Sequence, residues 1–356
     1  MSLIPHSKPS FDEQEEEATQ RVLESGQLGP GEDVEAFEEE FAEKIGVSHA
    51  IATSTGTSAL HLALTSLEID PEDRVVLPSY GWASIMHAIH YRDATPRTVE
   101  VDPDTYNIDP YSIKGVLEPE TKAIIVPHMF GHPAPVDEIL ELGIPVVEEC
   151  SMAPGTELHG KDVGSIGDVA VASFDDEQFL STGKGGILLT DDEEIYNNAT
   201  DLVSTQRRED YRVRYNYRMN NVQAAVGRVQ LEKLEHFIER RQELAKNYLS
   251  ALQEAPVGLP VDRTEGDHIY HRFVIGSGPM DRHVMENHFL DQDIEIQGPV
   301  YKPLHRYVRL SDEDFPNTTS AFRQNVSLPM YPDLTNEEQQ RVIETLFEFA
   351  EEEGVL

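Results

Sequence analysis

From Ala50 onward the chain alternates short β-branched runs with stretches of helical periodicity, and no other feature restricts its fold as much. The runs are Arg74 to Leu77, Arg97 to Val101, Ala123 to Pro127, Pro145 to Glu148 and Asp168 to Phe174. Such alternation predicts an open, largely parallel α/β sheet. Upstream, an extended arm with Pro5 and Pro9 leads to a helix over Phe11 to Glu24. The turn Gly26 to Gly31 opens a second helix, whose Val34, Phe37, Phe41 and Ile45 fall at spacings of three and four on one apolar face. The pattern changes near residue 220. One long helical stretch runs from Val222 to Ala251, Pro256 and Pro260 break it, Tyr270 to Ile275 reads as a strand, and Asn336 to Glu352 as a terminal helix. At 356 residues the chain has room for two domains. The division falls between a large α/β domain with its N-terminal arm, residues 1–235, and a smaller C-terminal α+β domain, residues 236–356.

Charge narrows the function classes. Asp and Glu number 66 against 28 Lys and Arg, a formal net charge of −38. A surface this acidic repels phosphate backbones, and no basic stripe interrupts it, so nucleic acid is not expected as a partner. Only nine of the cations are lysines. Scarce lysine with abundant carboxylate suggests a halophilic chain kept soluble by its own charge in concentrated salt, the alternative being an ordinary acidic cytosolic protein. A single cysteine, Cys150, makes no internal disulfide and cannot by itself ligate an iron–sulfur cluster. With no apolar leader and no apolar run of about 18 residues, the chain reads as cytoplasmic, with no membrane partner.

Four blocks carry candidate chemistry. In Thr53-Ser54-Thr55-Gly56-Thr57-Ser58 an apolar strand turns through one glycine into a helix, whose free N–H groups and hydroxyls suit a phosphate; a plain Ser/Thr helix cap is the simpler reading of this block alone. Pro78 to Ser84 places the only tryptophan, Trp82, at the carboxyl end of a strand, where it can stack on a planar ring or fill the core. Pro145 to Glu149 ends a strand in two carboxylates, one of which could pair with a protonated ring nitrogen unless both are solvated. The fourth block runs from Gly167 through Ser173-Phe174 and Gln178 to Lys184-Gly185-Gly186.

In order and spacing these blocks resemble the DegT/DnrJ/EryC1/StrS family of pyridoxal-phosphate sugar aminotransferases. Further stretches agree: Ile4-Pro5, Lys8-Pro9, Pro103 to Asp109, Gly131 to Ala134, Tyr215 to Met219, Gln223-Ala224-Ala225, Tyr301 to His305 and Leu328 to Tyr331. The resemblance implies fold-type I architecture and a homodimer with its site at the subunit interface. The implied cofactor is pyridoxal 5'-phosphate or pyridoxamine 5'-phosphate. The implied substrates are a nucleotide-linked keto-sugar and an amino donor such as glutamate, on the way to amino sugars of surface glycans. It makes Gly56, Thr57 and Ser173 a phosphate cup, joined by Asn216 of a neighbouring subunit, lays Trp82 against the pyridine ring, and sets Glu149 where the family usually has the Asp that keeps the ring nitrogen protonated.

Three positions depart from the family. Its Schiff-base lysine lies four residues beyond the Phe of the Ser-Phe pair, which here is Gln178. Met152 stands in place of a ring-contacting glutamine, and Lys184 in place of the glutamate of Gly-Glu-Gly-Gly. An amide is neither a nucleophilic amine nor a base, because its nitrogen lone pair is delocalised into the carbonyl. Ordinary transamination is therefore not expected unless Lys184 substitutes. The alternatives are a non-catalytic binding, regulatory or heteromeric partner, and a pyridoxamine-phosphate-dependent dehydratase-like enzyme. Lys184 can instead pair with Asp175 or Glu177. His128 and His132 around Met129-Phe130-Gly131 read as a structural loop, not metal ligands, and His87 and His90 as packing or exposed residues.

Overall fold

The computed structural model describes residues 3–204, 209–263 and 268–356. Its strands are β1 (His49–Thr53), β2 (Arg74–Pro78), β3 (Thr95–Val99), β4 (Thr121–Pro127), β5 (Val146–Glu149), β6 (Glu157–Leu158), β7 (Lys161–Asp162), β8 (Val169–Ser173), β9 (Gly186–Thr190), β10 (Phe273–Gly276) and β11 (Asn325–Leu328). Seven form one sheet in the order β1-β9-β8-β5-β4-β2-β3. Pairings from β8 through β5, β4 and β2 to β3 are parallel, while β9 runs antiparallel between β1 and β8. This is the mainly parallel α/β sheet of fold-type I.

Both faces of the sheet are covered. Val75, Leu77, Ala123, Ile125, Val147, Val169, Val171 and Leu188 pack on one side with the helices Gly56–Ser66, Ala83–His90 and Glu193–Val203. Their alternates face the opposite layer. Val76, Ile124, Val126 and Val146 lie there beside Ile113, Val136 and Ile139, while Ala170, Ala172, Ile187 and Leu189 meet Phe37 and Phe41 of the helix Glu32–Ile45. Burial on both faces explains why the strands read as near-continuous apolar runs. It also sends consecutive residues of β5 to opposite layers, which decides the fate of its two carboxylates.

The C-terminal residues build their own core around the pair β10–β11, with Tyr248, Phe273, Ile275, Phe289, Leu346 and Phe349 buried together. Ile4 of the arm is part of that cluster, bridged to Ile294. Four expectations shift. The strand expected at Tyr270 to Ile275 is Phe273–Gly276. The strand expected at Arg97 to Val101 is Thr95–Val99. β9 was not foreseen, because Ile187 to Leu189 is short and follows a glycine pair that reads as loop. The single helix expected from Val222 to Ala251 is two, Asn221–Glu232 and Leu234–Ala251. They meet at Lys233, whose ammonium pairs with Asp12 at 2.9 Å and Glu15 at 2.7 Å while Leu234 and Phe237 turn into the core.

Candidate active site

A cavity of about 240 Å³ opens over the carboxyl ends of β2, β5 and β8. Seven of the residues singled out from the sequence line it together with Gln178: Gly56, Thr57, Trp82, Glu149, Met152, Ser173 and Lys184. Asn216 does not. It is exposed, outside this cavity, between Tyr215 and Tyr217, whose rings stack at 5.1 Å.

The helix Gly56–Ser66 begins at the cavity wall. Thr55 caps it, its Oγ1 accepting from the Ser58 amide at 3.1 Å, and the Thr55 carbonyl accepts from Ala59. The amides of Gly56 and Thr57 remain at the open helix end, the feature that favours an anion. Glycine at 56 is a packing necessity, since a Cβ there would lie 2.5 Å from the Cβ of Ser173. Glycine at 186 serves the same approach, its Cβ falling 2.6 Å from the Thr55 carbonyl oxygen. Gly56→Ala is expected to push the helix off β8, lowering stability by about 1–3 kcal/mol and weakening pyridoxamine phosphate binding at least about tenfold; thermal melts and equilibrium dialysis check it.

The two carboxylates of β5 part ways. Glu148 faces the layer opposite the cavity, fully buried, and accepts from Gly164, Ile166 and Gly167 amides at 3.0, 2.9 and 2.7 Å and from His128 Nε2 at 3.1 Å. Despite the cost of burial, His128 and these amides hold it below the usual carboxylate range. Glu149 faces the cavity. Burial pushes its pKa up to about 7, opposed by hydrogen bonds from Ser151. A solvated acidic turn is thus not what the pair forms. His128, Glu148 and Cys150 place their donor atoms within 4.8 Å of one another, but amides and imidazole already fill the Glu148 oxygens, and His128 Nδ1 accepts from Ala134 at 2.9 Å. His132 meets Asn107 and the Pro133 carbonyl through Nδ1, while its buried Nε2 has no hydrogen-bond partner among the described residues.

Trp82 is half-buried, edge-on to Phe130. Its loop is fixed upstream at Ser79, whose Oγ lies 2.6 Å from His305 Nδ1, with His305 Nε2 3.0 Å from Asp312. Gln178 is held by its neighbours. Glu177 takes Arg272 at 2.7 Å and its carbonyl accepts from His271 Nε2 at 2.8 Å, while the Arg241 guanidinium lies 4.7 Å from the Phe179 ring centre. Sequence reading missed Arg241, His271 and Arg272, which lie far along the chain and carry no motif. Lys184 is exposed and its ammonium pairs with Asp175 at 2.9 Å. Among the described residues, Gln178 Oε1 and Asp175 Oδ1 are buried without a hydrogen-bond partner. An open helix end, an indole, a buried carboxylate and these unpartnered oxygens fit a phosphorylated pyridine.

Such a sheet, with those groups gathered at its carboxyl edge, is the fold-type I architecture shared by pyridoxal-phosphate-dependent transferases. The chain belongs to the DegT/DnrJ/EryC1/StrS aminotransferase family, whose model matches residues 9–347. It is 32% identical to GDP-perosamine synthase of Escherichia coli O157:H7, over 98% of this chain and 99% of that protein. It is likewise 32% identical to the spore coat polysaccharide biosynthesis protein SpsC of Bacillus subtilis, covering 96% of each. The crystal structure of the aminotransferase TlmJ from Streptoalloteichus hindustanus matches with a TM-score of 0.91 at 31% identity, over 97% of this chain and 98% of that one. Pyridoxal or pyridoxamine 5'-phosphate is the cofactor of this family. Among the described residues no helix is long and apolar enough to cross a membrane.

Proposed function

We propose that this chain holds pyridoxal or pyridoxamine phosphate without a covalent bond and takes a nucleotide-linked keto-sugar into the same cavity, in the formation of amino sugars for surface glycans. The relatives named GDP-perosamine synthase and spore coat polysaccharide biosynthesis protein support the sugar chemistry. One observation carries the rest: Gln178 lines the cavity where the family resemblance places an amine, and Lys184 is engaged with Asp175.

Each residue has a task in this reading. The amides of Gly56 and Thr57, with Ser173, hold the phosphate, and Asn216 joins them from a second copy in a homodimer. Trp82 covers one face of the ring, and Glu149 accepts the ring N–H. When bound, the cofactor supplies an electron sink for the substrate carbon. Amino transfer from glutamate also needs a primary amine that carries a proton between two carbons, and Gln178 offers neither function.

The test is to incubate the protein with pyridoxal phosphate, reduce with borohydride and map the peptides. No modified lysine is expected. A stable adduct on Lys184 would overturn the reading and make that residue the working amine. The same departures at Gln178, Met152 and Lys184 favour a second reading, a non-catalytic binding, regulatory or heteromeric partner, which turnover of a keto-sugar with glutamate would rule out. Loss of a sugar hydroxyl with pyridoxamine phosphate, and no amine gained, would instead point to dehydratase-like chemistry.

A further inference from the structure

We propose that Ser151 is a positioning residue, which fixes the Glu149 carboxylate for the cofactor ring nitrogen and ties it to the phosphate end of the cavity. This rests on the reading of the cavity as a cofactor site. Ser151 is buried, lines the cavity and stands between the two groups. Its Oγ accepts from the Ser173 amide at 2.8 Å, and its hydroxyl proton goes to Glu149 Oε1 in a close hydrogen bond. The Ser151 amide adds a longer bond to the same oxygen at 3.3 Å. A continuous relay therefore runs from the Ser173 amide through Ser151 to Glu149.

The relay answers two problems that a glutamate creates at this place. First, Glu has one more rotatable bond than the Asp it replaces in the family pattern, so its carboxylate needs a tether to stay on one bearing. The hydroxyl supplies it, anchored to the backbone of β8, which is paired directly with β5. Second, the carboxylate is buried, which favours its neutral form, and a hydroxyl donating to the charged form opposes that. Little else does. The titratable groups sharing the cavity are Asp175 and Lys184, across it on the loop after β8 and paired with each other. The helix Gly56–Ser66 and the Trp82 loop bring hydroxyls, aliphatic groups and an indole to the cavity. Glu148 and Cys150, the neighbours on either side of Glu149, face the opposite layer with His128.

Infrared difference spectroscopy of the cofactor-free protein, titrated with acid, tests the relay on the carboxyl band that Glu149→Gln removes. Ser151→Ala is expected to raise the midpoint of that band by about one pH unit, since the charged form loses the hydrogen bond from the Ser151 hydroxyl. Ser151→Thr keeps the hydroxyl and should restore the wild-type midpoint. An unmoved midpoint in Ser151→Ala overturns the proposal. Pyridoxamine phosphate affinity, followed by equilibrium dialysis, should then show its acid limb shifted upward in Ser151→Ala with the alkaline plateau unchanged. A uniform loss of affinity at every pH would mark Ser151 as structural support only and also overturn it. A wild-type protein that binds no pyridoxamine phosphate at any pH would defeat the cofactor-site reading, whereas the infrared shift would still decide whether the relay exists.

Discussion

Replacing Gln178 by lysine is expected to give a protein that carries pyridoxal phosphate covalently at position 178 after borohydride reduction, and to raise amino transfer from glutamate at least about 100-fold. The expectation follows from how the segment is held. Arg272 on Glu177, His271 on the Glu177 carbonyl and Arg241 against Phe179 fix the chain on both sides of Gln178. None of these contacts uses the Gln178 side chain, whose Oε1 has no partner among the described residues. Exchange therefore breaks no described bond, and the new amine enters a cavity that already holds Trp82, Glu149 and the open helix end. Peptide mapping and a coupled assay with glutamate check it. A Gln178→Lys protein that forms no adduct would show that the side chain at this position does not reach the cofactor carbonyl.

Glu148→Ala is expected to destabilise the fold by about 3–5 kcal/mol, the largest structural effect of any single change near the site. Three backbone amides and His128 Nε2 would lose their acceptor in a place closed to water. Typical domain stability is about 5–15 kcal/mol, so urea unfolding should show a lower midpoint without ambiguity. Glu148→Gln should recover only part, because its amide nitrogen meets donors where a carboxylate oxygen accepted two bonds. The pH dependence has a definite sign. The folded-state pKa of Glu148 is held below its unfolded value, so its contribution is complete above the unfolded value and fades as pH falls through the folded one. The gap between wild type and Glu148→Ala should therefore narrow on acidification below the ordinary carboxylate range. A gap that does not change with pH would show that the ionised form is not what stabilises this corner.

Much of the architecture was legible because apolar periodicity is a local property. Strands β2, β4, β5 and β8 appear in the sequence as short β-branched runs, and the helix Glu32–Ile45 as an apolar stripe whose Val34, Phe37, Phe41 and Ile45 are all buried. β9 was not legible, since Ile187 to Leu189 is a short run behind a glycine pair and its pairing with β1 joins segments far apart in the chain. The break at Lys233 was hidden for the same reason. There Lys233 pairs with Asp12 and Glu15, more than 200 positions upstream.

The cavity shows the same boundary. By itself the sequence determined which residue types were available: glycine and hydroxyls before a helix, one tryptophan after a strand, paired carboxylates at another, and glutamine in place of an amine. Only the tertiary structure decided what each of them does. Strand alternation requires Glu148 and Glu149 to face opposite layers, but which faces the cavity follows from the register of β5 between β4 and β8. Whether Lys184 was free or engaged depended on the loop that brings Asp175 within 2.9 Å of it. Ser151 has no motif to announce it, and its role exists only because β8 delivers the Ser173 amide to its oxygen. Residue identity is written along the chain, whereas hydrogen-bond direction and burial arise only when distant segments close on one another.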